Sequence, residues 1–392
     1  MQLGLERATR SQLPRLKHKR FGLLANMASV DREFRYAWDM LAEAYPGQLA
    51  AIFSPQHGLW GEQQANMVES GHGRLPSLDI PVHSLYAEKR QPTDETLSGI
   101  DALVIDLQDV GTRVYTFVWT SMNCLEACAE ANIPVVVLDR PNPIGGLNAE
   151  GSLLDFDYRS FVGQAEIPMR HGLTLGELLQ LINAEHQIGA DLQIVPVAGW
   201  KRSMLWPETG RAWIPPSPNV PRFEGVLSYP GQVLLEGTNL SEGRGTTTPF
   251  EWLAAPYIEP DLLANELTRL NLSGVVFRPI RFIPTFDKWR GGLCGGVALR
   301  VTNSETFRPY QTAVAALAVC RREWPNDFAW LHPPYEYEAE KMPIDIINGG
   351  SRLREGLEQA ATEKNLFGLI LKLTEFDEHV WWERVRPYLL YE

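Results

Sequence analysis

Side chains suited to acid–base and carbohydrate chemistry stand directly after the apolar runs of the first half of the chain. FGLLAN, from Phe21, ends in Asn26, and LAAIFSP, from Leu49, is followed by Gln56-His57-Gly58. ALVIDLQD, from Ala102, closes on Asp106, Leu107, Gln108 and Asp109, with Gly111, Arg113 and Tyr115 just beyond. IPVVVLDRP, from Ile133, ends in Asp139, Arg140 and Pro141, with Asn142 next. Carboxylates and histidine can move protons, and amides can meet sugar hydroxyls and acetamides. Arg170-His171-Gly172 precedes a helix-like stretch at Leu173–Glu185. The run from Glu236 to Thr248 carries Asn239, Glu242 and Arg244 between glycines, which permit tight turns. Each residue also has a structural use, since a strand-end Asp caps helices and Asn-Pro makes turns. As a set they predict one crevice, because ligands of open α/β sheets bind outside the carboxyl ends of the strands.

Other chemistries lack their signatures. H-E-x-x-H, G-x-S-x-G and G-x-x-x-x-G-K-[ST] are absent, and no G-x-G-x-x-G opens a helix after the first strand. A metal would need Asp106 and Asp109 to join His57 and His171, so no metal or cofactor is expected. Cys124, Cys128, Cys294 and Cys320 form no C-x-x-C and read as buried thiols. Trp60, Trp119, Trp206, Trp213 and Trp289 could stack on sugars but default to packing. The net charge of −12 argues against nucleic acid.

The elements that must hold these residues alternate. Strands are predicted at Phe21, Leu49, Pro81, Ala102, Ile133 and Leu192, and helices over 31–45, 118–131 and 174–187. Continuous apolar runs mark parallel strands buried on both faces. The fold class is therefore α/β, a Rossmann-like doubly wound parallel sheet. The proline-dense WIPPSPNVP at 213–221 suggests a boundary, with domains at 1–225 and 226–392. VVFRPIRFI, GVALRVT and a helix over 308–322 make the second a smaller C-terminal α+β auxiliary domain.

PQHGLWGE, DLQDVGTRVYTFVWT, LDRPNPIGG, PMRHGLTLGEL, PPSPNVP, YPGQVLLEGTNLSEGRGTTTPFEW, RFIPTFDKWRGGLCGGV and PPYEYE…PIDIINGG resemble, in order, the DUF1343 family. Its characterised members are exo-β-N-acetylmuramidases of the NamZ type. The likeness runs from about Phe21 onward and implies a Rossmann-like domain, an auxiliary domain and a cleft between them. It also implies release of terminal N-acetylmuramic acid from peptidoglycan fragments, a small carbohydrate partner. Arg113, Arg170 and Arg244 could then hold the lactyl carboxylate.

One position departs from the family pattern, which is P-E-H-G where this chain has P-Q-H-G. The resemblance implies a catalytic Glu there, and the amide of Gln56 cannot exchange the proton that glycoside cleavage needs. Another acid could serve, among Glu62, Asp106, Asp109, Glu236 and Glu242. Gln56 could instead position the substrate acetamide, or the chain could be a sugar-binding protein of altered activity. The candidate catalytic set is Gln56, His57, Glu62, Asp106, Asp109 and Glu242. The candidate substrate contacts are Asn26, Gln108, Arg113, Tyr115, Asn142, Arg170, His171, Glu236, Asn239 and Arg244. No membrane span is expected. The first residues carry no apolar leader, which predicts a cytoplasmic protein as written, periplasmic or secreted if a leader was removed.

Overall fold

The computed structural model describes residues 1–65 and 67–392. Strands β1 (Phe21–Ala25), β2 (Leu49–Ser54), β3 (Gly73–Leu75), β4 (Ile80–Ser84), β5 (Ala102–Asp106) and β6 (Val135–Leu138) come first. A short antiparallel pair follows, β7 (Glu150–Leu153) and β8 (Pro168–Arg170), and then β9 (Leu192–Val195). The large sheet has the order β3-β4-β2-β1-β5-β6-β9. Every neighbouring pair is parallel except β3 with β4.

Alternation along the strands explains the two layers of helix. Leu24, Phe53, Leu103, Ile105, Val135 and Val137 join Trp119, Met122, Leu178 and Ile182 in one apolar cluster. Their neighbours Leu23, Ile52, Val104, Val136 and Leu138 turn to the other face and meet Leu5, Ala8, Trp38 and Leu41. Each such side chain, fully buried, contributes about 1.5–3 kcal/mol. Helices Phe117–Glu130 and Leu175–Glu185 match the expected spans to within two residues. The second is started by Thr174 and Glu177 in a capping box, and Asp139 at the end of β6 accepts from Thr174 Oγ1 (2.7 Å) and Gly176 N (2.9 Å).

The helix expected over 31–45 is shorter, Ala37–Ala44. Asp31 draws the preceding segment out of it: its carboxylate accepts from Glu33 N, Arg35 N and Arg35 Nε. An Asp that bonds nearby backbone N–H groups offers the chain a turn in place of a helix.

In the second half, β10 (Trp252–Ala255), β11 (Val275–Phe282) and β12 (Cys294–Val301) form an antiparallel sheet in the order β10-β12-β11. Helix Pro309–Glu323 is buried along most of its length, including Tyr310, Val314 and Leu317. The last residues return to the first half: Trp381 Nε1 donates to His171 O at 3.0 Å, and Tyr391 OH donates to Asp139. All four cysteines are buried and free. Among the described residues no helix is long and apolar enough to cross a membrane.

Candidate active site

β2, β1, β5 and β6 are parallel neighbours, so the polar residues after them share one edge of the sheet. They divide into two groups there. Gln56, His57 and Tyr115 line an inner pocket together with Thr116, Phe117, Ser217, Asn219, Tyr229, Glu236, Arg244, Phe250, Tyr335 and Glu336. The free volume is small, about 40 Å³. Asn219, Glu236, Arg244 and Tyr335 also line an outer chamber of about 420 Å³, with Asp287, Lys288 and His332. That chamber is within the size range of small-molecule sites, roughly 300–1,000 Å³. The stretch around Ser217 and Asn219, expected to be a boundary, is thus also a pocket wall.

The remaining candidates belong to the frame beneath and around the pocket. Asp106 is fully buried and holds Arg140 bidentately, at 2.6 and 2.8 Å. Asn26 donates to Pro216 O, Gln108 to Asp109 O and Pro141 O, and Asn142 to Leu173 O. Asp109 accepts from Gly111 N and lies 3.4 Å from His171 Nε2. His171 Nδ1 accepts from Leu173 N, which leaves Nε2 to carry the hydrogen toward Asp109. Arg113 donates to four backbone carbonyls, and Arg170 to Ile144 O. Asn239 joins Tyr257, Asp327 and Ala329, and exposed Glu62 accepts from Trp60 N. None of the five tryptophans lines either space.

Local backbone geometry sets the lining residues. His57 takes a left-handed φ of +73° and Gly58 one of +83° in the turn after β2. His57 Nδ1 lies 2.6 Å from Gln63 O; a carbonyl only accepts, so Nδ1 carries the hydrogen and Nε2 is the open acceptor. Burial pushes the imidazole down to about 4, keeping it neutral at pH 7. In the loop from Glu236, a side chain at Gly245 would meet Phe286 O at 2.4 Å, so the close approach to that strand-connecting segment requires glycine.

A buried charge network closes one wall. Arg244 donates to Glu236 (2.7 Å) and Glu242 (2.8 Å), and Lys288 donates to the other oxygen of Glu242 (2.9 Å). Tyr335 OH donates to Glu236 at 2.9 Å. Against its burial, Lys288 and Arg244 pull the Glu242 carboxyl down to about 2. Glu242 itself stands behind Arg244 and outside the lining.

Glu336 is the residue that sequence reasoning missed. It lies at 4% exposure in the inner pocket, where Tyr86 OH donates to it at 3.1 Å and the Gln56 amide is a second partner. Gln56 in turn accepts from Thr116 Oγ1 (2.7 Å) and donates to Tyr86 OH (3.1 Å). Reciprocal backbone bonds between Tyr335 and Glu338 enclose Glu336 and Tyr337, both at positive φ (+44° and +70°). Non-glycine residues there cost about 1–3 kcal/mol each and cluster at functional sites. Burial pushes the Glu336 carboxyl up to about 7, with the Glu236 charge adding to it and the Tyr86 hydrogen bond opposing it. A carboxyl raised from an ordinary 4.5 stabilises the fold fully below pH 4.5 and loses that contribution as pH rises through 7. The loss is on the order of 3 kcal/mol at 1.36 kcal/mol per pH unit. Glu336 is thus a stability cost at neutral pH. Its only signal in the sequence was its place in PPYEYE.

Two family models cover the chain: Exo-beta-N-acetylmuramidase NamZ, N-terminal, matches residues 21–224, and its C-terminal counterpart matches 227–391. The chain belongs to the NamZ exo-β-N-acetylmuramidase family. The peptidoglycan β-N-acetylmuramidase NamZ of Bacillus subtilis is 40% identical over 366 residues, 93% of this chain and 86% of that protein. Two crystal structures of DUF1343 family proteins from Bacteroides fragilis share the architecture. One has a TM-score of 0.88 at 32% identity, the other 0.75 at 27%; each alignment covers 100% of this chain and 99% of its match. Both the resemblance read from the motifs and the α/β class agree with these matches. In this member of the NamZ family the inner pocket pairs an amide at position 56 with a buried carboxyl at 336.

Proposed function

We propose that the protein is an exo-acting β-N-acetylmuramidase that removes terminal N-acetylmuramic acid from peptidoglycan fragments. The observation that carries this is the polar inner pocket opening beside a sugar-sized chamber, in a chain 40% identical to a named peptidoglycan β-N-acetylmuramidase. A pocket this small beside one chamber suits a chain end better than a chain interior. Asn219 borders both spaces and offers an amide to the acetamide and hydroxyls, His57 Nε2 an acceptor, and Tyr115 a hydroxyl. The lactyl carboxylate is assigned to Arg244, which borders both spaces and whose Nε has no hydrogen-bond partner among the described residues. Arg113 and Arg170 are engaged with backbone carbonyls instead. A sugar-binding protein without catalysis is the less favoured reading, given the likeness to that muramidase over 93% of the chain.

The test is chromophore release from aryl N-acetyl-β-muramide and aryl N-acetyl-β-glucosaminide. We expect turnover of the muramide with kcat/KM at least about tenfold higher, since tenfold needs only about 1.4 kcal/mol from the lactyl contact. Equal rates on both sugars would remove the muramic acid assignment. No release from either, at high enzyme concentration, would remove the glycosidase.

A further inference from the structure

Resting on the glycosidase reading above, we propose that Glu336 is the proton donor to the glycosidic oxygen, in the pocket it lines together with Gln56, held there by the buried Tyr86 hydroxyl. The lining holds two carboxyl groups, Glu236 and Glu336. Glu236 is committed to Arg244 at 2.7 Å and to the Tyr335 hydroxyl at 2.9 Å, so its charge is balanced where it stands. Glu336 forms no ion pair among the described residues; its partners are a phenol and an amide, both uncharged. A carboxyl that must hold a proton at neutral pH needs this kind of surrounding, and burial and the Glu236 charge raise it to about 7. Gln56 cannot carry a proton for the reaction, but its carboxamide orients the group that can. Thr116 fixes that carboxamide by donating to its oxygen, which turns the NH2 toward Tyr86 and Glu336.

The step balances as follows. The Glu336 carboxyl gives its proton to the glycosidic oxygen as the bond from that oxygen to C1 breaks, the electron pair leaving with the oxygen. A water forms the new bond to C1 and loses one proton to solvent. The Glu336 carboxylate is then reprotonated from solvent.

The experiment compares wild type and Glu336→Gln on two N-acetyl-β-muramides that differ in leaving group. In the disaccharide to N-acetylglucosamine the departing oxygen needs a proton; the 2,4-dinitrophenolate of the aryl substrate does not. We expect kcat on the disaccharide to fall by about 10²–10⁴, the usual worth of a general acid, and on the dinitrophenyl substrate by less than about tenfold. Returning a carboxyl to the neighbouring position in the double variant Gln56→Glu/Glu336→Gln should recover at least tenfold on the disaccharide. The folding control is thermal unfolding at pH 8, where Glu336→Gln should melt above wild type. Equal losses on both substrates, or no loss on either, would overturn the assignment while leaving the glycosidase reading intact. A wild type inert on both muramides would bring down that reading and the assignment together.

Discussion

Arg113→Met is expected to destabilise the protein by about 3–5 kcal/mol, with the KM for an aryl muramide unchanged in the fraction that folds. The guanidinium is fully buried. Nη1 donates to Ser152 O and Ile167 O, and Nη2 to Ile347 O (3.1 Å) and Asn348 O (2.7 Å). These carbonyls belong to β7, to the approach to β8 and to helix Pro343–Asn348, so one side chain ties the N-terminal sheet region to the C-terminal half. Burial pulls its pKa down to about 10, with Tyr310 opposing. Methionine fills most of the volume and relieves the buried charge, but it takes the guanidinium donor from Ser152 O, Ile167 O and Ile347 O, while Asn348 O keeps the Ser152 hydroxyl. Losing those donors outweighs relieving the charge, since each orphaned acceptor costs about 1–3 kcal/mol. Urea unfolding at pH 7 measures it. A variant as stable as wild type would contradict the structural role, and one that folds but has a raised KM would place Arg113 in substrate binding.

Arg244→Met combines a stability loss with a loss of activity. It removes the cation shared by Glu236 and Glu242, both buried. Glu242 keeps Lys288, and Glu236 keeps Tyr335. Breaking a buried pair from one side costs about 3–5 kcal/mol, because the remaining charge is left in a poorly solvating site. The pH dependence has a definite sign. Glu242 is depressed to about 2, so its contribution is present above the ordinary carboxyl value and lost as pH falls toward 2. Without Arg244 that contribution shrinks, and the gap between variant and wild type should be widest near neutrality and close on acidification. Because Arg244 borders both spaces, turnover of the muramide should also fall by more than about 100-fold. Denaturant titrations at pH 7 and pH 3, the second inside the window between 4.5 and about 2, with kinetics at pH 7 on the same preparations, check both halves. A gap that widened toward acid would show that the network is not held by carboxylate charge.

The fold was legible because both faces of the parallel sheet are buried. Runs such as ALVID and VVVL must be apolar at every position to serve two helix layers, and that pattern survives in sequence. The helix over 31–45 was overextended because apolar spacing cannot show that Asp31 captures the backbone N–H groups of residues 33 and 35. At the candidate site, the strand-tip rule gathers the polar residues on one edge of the sheet but does not say which tips face the opening. Gln56 and His57 face it, while Asp106, of the same chemical type as a catalytic acid, turns to Arg140 and becomes framework. Asp139 took the structural use that a strand-end Asp offers, capping the helix at Leu175. Glu336 was hidden for a different reason. It sits in a segment without regular structure, 250 residues beyond Tyr86, its hydrogen-bond partner, and no periodicity links the two.

The pocket itself is tested most directly by a crystal structure of the Glu336→Gln variant with the disaccharide N-acetylmuramyl-β-1,4-N-acetylglucosamine. The muramic acid ring should lie in the outer chamber at the mouth of the inner pocket, beside Asn219 and Glu236, with its lactyl group toward Arg244 and its anomeric end toward Gln56 and His57. The carboxamide at 336 should be within hydrogen-bond reach of the glycosidic oxygen, roughly 2.6–3.2 Å. A sugar bound instead in the separate cavity beside Gln108 and Arg211, with the inner pocket holding only water, would contradict the account at its root.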